Sequence, residues 1–145
     1  MLGVSSYEPE YIETCRARVR SQIASYDGLL AAARGNSKAA AAPLESAIQS
    51  FDSVFYNNMV LTLDSYFTHR LRTKEGKDGN PLNEVRVLCT SLLGNGGVLV
   101  QDKAIKLDPA KSVLGYAAGD EIKVDGDGFT RLAEAYFAAI ERTYS

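Results

Sequence analysis

The chain has 145 residues, enough to bury a real core but too few for two comfortable domains, so residues 1–145 read as a single helical domain. Apolar residues make up 46% and charged residues 23%, globular values that require neither a disordered nor a fibrous class. A formal charge of −2 argues against nucleic acid as a partner, and no run reaches the roughly 18 apolar residues of a membrane span, so no membrane partner is expected either.

The opening MLGVSSYEPEY lacks the basic and apolar regions of a secretory signal, which implies a reduced, cytoplasmic protein. Glu8-Pro9 then starts a helix, because proline is tolerated at the first helical position and acidic side chains suit the first turn. Ile12, Cys15, Val19, Ile23, Tyr26 and Leu30 recur at spacings of three and four and make one apolar stripe over about 9–33. Gly35-Asn36 supplies a left-handed stop, and a brief alanine run at 39–42, preceded by Lys38, leads to Pro43.

Pro43 opens a second helix expected to run to Thr73, roughly 45 Å long, as the central strut. Leu44, Ile48, Phe51 and Phe55 form its inner face, whereas from Met59 to Phe67 apolar residues point several ways, as in a segment covered on more than one side. Asn80 is a good N-cap, with Pro81 at the first position and Glu84 in the first turn of a third helix whose Leu82, Val85, Cys89 and Leu92 share a face. GNGG at 94–97 ends it. Residues 98–100, 104–107 and 121–124 are candidate short strands of a small hairpin, and DPAKSVL reads as one helical turn capped by Asp108. Phe129, Leu132, Tyr136, Ile140 and Tyr144 stripe a last helix capped by Asp127. The expected fold is all-α, resembling a four-helix bundle, with a long crossover between the third and fourth helices that has room for a small β-hairpin.

Strong chemical motifs are missing. There is no Glu-x-x-His, no His-Glu-x-x-His and no second histidine, and Walker, Rossmann and Gly-x-Ser-x-Gly patterns are absent too, so neither a metal nor a cofactor is expected. KVDGDGFTRLAE aligns imperfectly with a calcium loop, having Lys123 where the first carboxylate belongs, and a helix-capping turn is the favoured reading. Cys15 and Cys89 form no Cys-x-x-Cys pair and sit in apolar patterns, so buried free thiols are favoured over a disulfide or nucleophile.

Two features point to binding. Asn58, Thr62, Ser65, His69 and Arg72 would form one polar stripe on an unbroken second helix, read first as its solvated side and second as an internal seam or small cavity. Asn57 and Asp64 are similar candidates on another side, and Asp64, if buried, would need Thr68 or a cation from another helix as partner. In the corner after this helix, Arg70, Arg72, Lys74, Lys77 and Arg86 face Glu75, Asp78 and Glu84, a local excess of +2 beside a helix N-terminus. Scaffolding of the corner is the favoured role, with contact to a small anionic ligand as the alternative. The candidate ligand-binding residues are Asn58, Thr62, Ser65, His69, Arg70, Arg72, Lys77, Asn80, Asn83 and Arg86. The functional expectation is a non-enzymatic module that binds a small anion at this corner or self-associates as a homodimer. The rival is a small enzyme using His69 with Asp64, Arg72 or Glu84. An assembly module should expose a sizeable apolar patch, and an enzyme should place His69 in a polar pocket.

Overall fold

The computed structural model describes residues 3–36 and 41–145; Lys38 and the first alanines of the 39–42 run lie outside them. The described residues are mainly helical, with α1 (Pro9–Asn36), α2 (Ala41–Ser65), the one-turn α3 (Arg72–Glu75), α4 (Pro81–Gly94) and α5 (Gly126–Tyr144). The four long helices make the expected bundle-like arrangement. α2 and α5 pack together at its centre, and α1 and α4 each lie against both.

The apolar stripes explain this packing. All five stripe residues of α5, Phe129, Leu132, Tyr136, Ile140 and Tyr144, are buried. Ile12, Cys15, Val19 and Tyr26 of α1 are buried as well, with Ile23 and Leu30 partly so. Leu82, Val85 and Cys89 hold α4 to the same core. Its start is fixed locally: the Asn80 Oδ1 accepts the amides of Leu82 at 2.9 Å and Asn83 at 3.3 Å, and Pro81 needs no partner for a missing N–H.

The second helix departs from expectation in length and in face. It ends at Ser65, not Thr73. No proline or glycine marks the break; tertiary contacts override helix propensity there. Phe67 buries its ring among Tyr7, Tyr136 and Phe137, with centroids 4.9, 6.0 and 6.0 Å away. His69 takes a left-handed backbone, φ 60°. The N-terminal segment locks this turn, since the Val4 amide donates to the His69 carbonyl at 2.7 Å and the Leu71 amide to the Val4 carbonyl at 3.2 Å. The inner face of α2 is Ile48, Tyr56, Met59, Val60 and Leu63, whereas Phe51, expected inside, is 52% exposed.

The crossover between α4 and α5 contains no hairpin. A single antiparallel bridge, Val98 to Glu121, is all the β-structure it holds. Buried and half-buried side chains from the helices tie it down instead. Glu84 of α4, 2% exposed, accepts the amides of Val113 at 2.8 Å and Leu114 at 2.9 Å. Asn57 of α2 donates to the Ile122 carbonyl at 2.8 Å and accepts the Val124 amide at 3.0 Å. The Ser91 hydroxyl accepts the Val100 amide at 2.9 Å. DPAKSVL makes a turn rather than a helix, with the Lys111 and Ser112 amides on the Asp108 carbonyl. Asp125, not Asp127, caps α5 by accepting the Gly128 amide at 2.7 Å. Gly79, at φ 83°, lets the crossover approach: a Cβ there would stand 2.3 Å from the Lys106 carbonyl oxygen.

Candidate functional site

The corner after α2 is built around Glu75, whose side chain is fully buried. It accepts from Arg70 Nε at 2.7 Å, from Arg86 Nη2 at 2.9 Å and from the Tyr144 hydroxyl. Arg70, with a side chain only 5% exposed, also donates through Nη1 to Asp64 Oδ1 at 2.8 Å, the Tyr136 hydroxyl at 2.8 Å and the Phe67 carbonyl at 3.1 Å. Burial disfavours the Arg70 charge, but Tyr136 and the carboxylates of Glu75 and Asp64 outweigh it and hold the guanidinium above its ordinary pKa. Burial, reinforced by Glu75, likewise raises the Tyr144 phenol. Such a network repays the desolvation of its charges only because every member is hydrogen-bonded.

Beside this network lies an open depression of about 340 Å³, lined by Asp64, Ser65, Phe67, Thr68, His69, Arg70, Arg72 and Arg86. The structure therefore gathers Ser65, His69, Arg70, Arg72 and Arg86 from the candidate ligand set. The others stand apart. Asn58 and Thr62 are on the outer side of α2, and Lys77 is exposed with its carbonyl accepting the Lys106 amide. Asn80 is spent on capping α4, and the buried Asn83 accepts the Gly79 amide and donates to the Gly76 carbonyl. The α4 N-terminus is thus satisfied by its own cap and is not the anion-facing element of the corner. Glu84 faces the crossover rather than the corner cations. Asp64 finds its cation in Arg70, from the turn that follows α2, rather than from Thr68 or another helix.

The polar stripe splits at the break in α2. On its helical part the Asn58 amide donates to the Val54 carbonyl, the Thr62 hydroxyl to that of Asn58 and the Ser65 hydroxyl to that of Thr62. Both cysteines are buried free thiols, and the Cys89 thiol donates to the Val60 carbonyl at 3.8 Å. Burial pushes that thiol up to about 12, far from a nucleophile's range. Among the described residues no group of three or more His, Cys, Asp or Glu is placed to hold a metal ion, and no helix is long and apolar enough to cross a membrane.

A second surface lies along α1 and α2. Leu29 is 64% exposed, Phe51 52% and Val54 50%. Tyr26 and Phe55 stack beside Phe51 with centroids 4.0 Å apart, and Tyr26 gives its hydroxyl proton to Asp52 at 2.9 Å. Leu29, Phe51, Phe55 and Met59 line a common shallow groove whose remaining walls are Ser21, Gln22, Ser25 and Tyr26. No charged residue lines it. The sequence hid this surface because Phe51 fits the apolar period; the uncharged run after Ser53 was the legible sign that α2 is covered or paired. Comparison with family models, curated proteins and solved structures finds no match for this chain.

Proposed function

We propose that the chain is a non-enzymatic helical module that self-associates through the α1–α2 face, in the reducing, cytoplasmic setting that suits its buried free thiols. The exposure of Leu29 and Phe51 in one groove that no charged residue lines carries this reading. Contiguous apolar side chains of this size on a surface are a standing gain for any partner that covers them.

A second copy is the occupant that the chemistry favours. From Ser53 to Ser65 the only charge on α2 is Asp64, and it is paired with Arg70. Two copies related by a two-fold axis and meeting at the groove, which no charged residue lines, bring uncharged side chains against uncharged ones there. Asn58, Thr62 and Ser65 already spend donors on their own helix, which lowers the cost of taking them from water. The apolar area is modest beside the entropic cost of association, so the dimer is concentration-dependent rather than permanent.

Sedimentation velocity over a wide concentration range tests this. The wild-type chain should move from monomer to dimer, and the Leu29→Ser/Phe51→Ser variant should stay monomeric with an unchanged circular dichroism spectrum. A wild-type chain that remains monomeric throughout, or a folded variant that dimerises as well as wild type, overturns the proposal.

A further inference from the structure

The geometry points to the corner depression as a binding site for a small phosphate-type oxyanion, a function separate from self-association and resting on different residues. Three guanidiniums, those of Arg70, Arg72 and Arg86, border it or line its floor. The carboxylates of Asp64 and Glu75 answer two of them, which leaves one positive charge in excess. Arg72 is the unanswered cation: it is exposed and makes no hydrogen bond or ion pair among the described residues.

Preorganisation strengthens the case. Glu75 grips Arg70 and Arg86 from behind, so both guanidiniums are in place before a ligand arrives. Arg70 spends its N–H groups on Glu75, Asp64, Phe67 and Tyr136 and contributes only its field. Arg86 uses Nη2 on Glu75, leaving its other nitrogens to donate, and Arg72 can offer a whole fork. Tetrahedral oxyanions with several acceptor oxygens suit two guanidinium forks, whereas one carboxylate group fills only one.

The backbone is arranged to the same end. Had α2 continued, His69 and Arg72 would have extended along its axis; the left-handed His69 instead turns both into the wall of the depression. That conformation is costly for a residue with a side chain, and the Val4–His69 hydrogen bond holds it. Phe67, the one Phe, Tyr or Trp in the lining, is 1% exposed, so the only ring at the surface of the depression is the His69 imidazole. The ligand is a phosphate group, free or as a simple monoester.

Inorganic phosphate, methyl phosphate and acetate are the probes, titrated at fixed ionic strength by isothermal calorimetry. Phosphate should bind saturably and acetate at least about tenfold more weakly, and Arg72→Ala should lose about tenfold or more in phosphate affinity while remaining folded. His69→Gly, which keeps the turn and removes the imidazole, should weaken binding less than Arg72→Ala does, and Lys103→Ala on the crossover should leave it unchanged. Equal binding of methyl phosphate identifies the head group of a monoester, and preference for inorganic phosphate identifies the free anion. Absence of saturable binding, acetate binding as tight as phosphate, or an Arg72→Ala variant that binds like wild type overturns the inference.

Discussion

Replacing Glu75 with alanine is the sharpest test of how the corner is held together. The substitution removes one carboxylate from beneath two guanidiniums and a phenol, all brought to it from different elements. The loss is unequal among the partners. Arg86, 18% exposed, can turn part of its guanidinium to water, and Tyr144 keeps the Leu71 carbonyl at 3.1 Å. Arg70 cannot reach solvent and is left with Asp64 as its only carboxylate. Breaking a buried ion pair from one side costs about 3–5 kcal/mol, and because Asp64 remains, the lower figure of about 3 kcal/mol applies. For a chain of this size that is a fall in Tm of about 6–12 °C. Urea unfolding followed by circular dichroism reads the change directly. The Arg70→Met/Glu75→Leu pair should cost less than Glu75→Ala alone, since it removes the one cation that cannot reach water, while the Asp64 and Arg86 it leaves without partners are 34% and 18% exposed. A Glu75→Ala loss below about 1 kcal/mol, or a double variant worse than the single, would refute the view that Glu75 organises the corner.

Three other outcomes follow from the same contacts. Asn57→Ala strips partners from the Ile122 carbonyl and Val124 amide, so stability should fall by about 2 kcal/mol, with hydrogen exchange at Val124 accelerated beyond the rest of the chain. Gly79→Ala forces a Cβ against the Lys106 carbonyl at positive φ and should cost at least about 1–3 kcal/mol by thermal unfolding. Glu84 is raised by burial above its usual carboxylate value of 4.5, partly offset by its two backbone amides and by Arg131. A raised carboxylate contributes stability that is fully present below that usual value and is lost as pH rises through the folded-state value. The stability of wild type minus that of Glu84→Gln should therefore decline as pH climbs from 4 towards neutrality; a difference that grows over that range would reverse the assignment of burial as the dominant cause.

Local spacing made most of the helical frame legible. The stripes of α1, α4 and α5 are periodic, and the Asn80-Pro81 start is a signal contained in two adjacent residues. The break in α2 was not legible, because its cause is the docking of Phe67 and the Val4 clasp, contacts that join segments sixty or more residues apart. Phe51 illustrates the converse: its spacing matches an inner face, yet its position on α2 leaves it half in solvent. Glu84 looked like an ordinary first-turn acid and proved to be the clasp of the crossover, a pairing across 29 residues that no local pattern encodes. Asn57 was more readable, since a short polar residue in an uncharged, many-sided apolar segment must find a buried partner. In the corner the charges were visible in the sequence, but not their division into a sealed group, Arg70 with Glu75, and an open one, Arg72 with His69. That division depends on the turn at His69.

Native mass spectrometry of the purified chain, beside a denatured control, reads directly whether the α1–α2 face pairs two copies. A species at twice the 15.7 kDa chain mass should grow with concentration and disappear in Leu29→Ser/Phe51→Ser. A wild-type spectrum of monomer alone, at concentrations where the chain stays folded, would contradict self-association through the α1–α2 face.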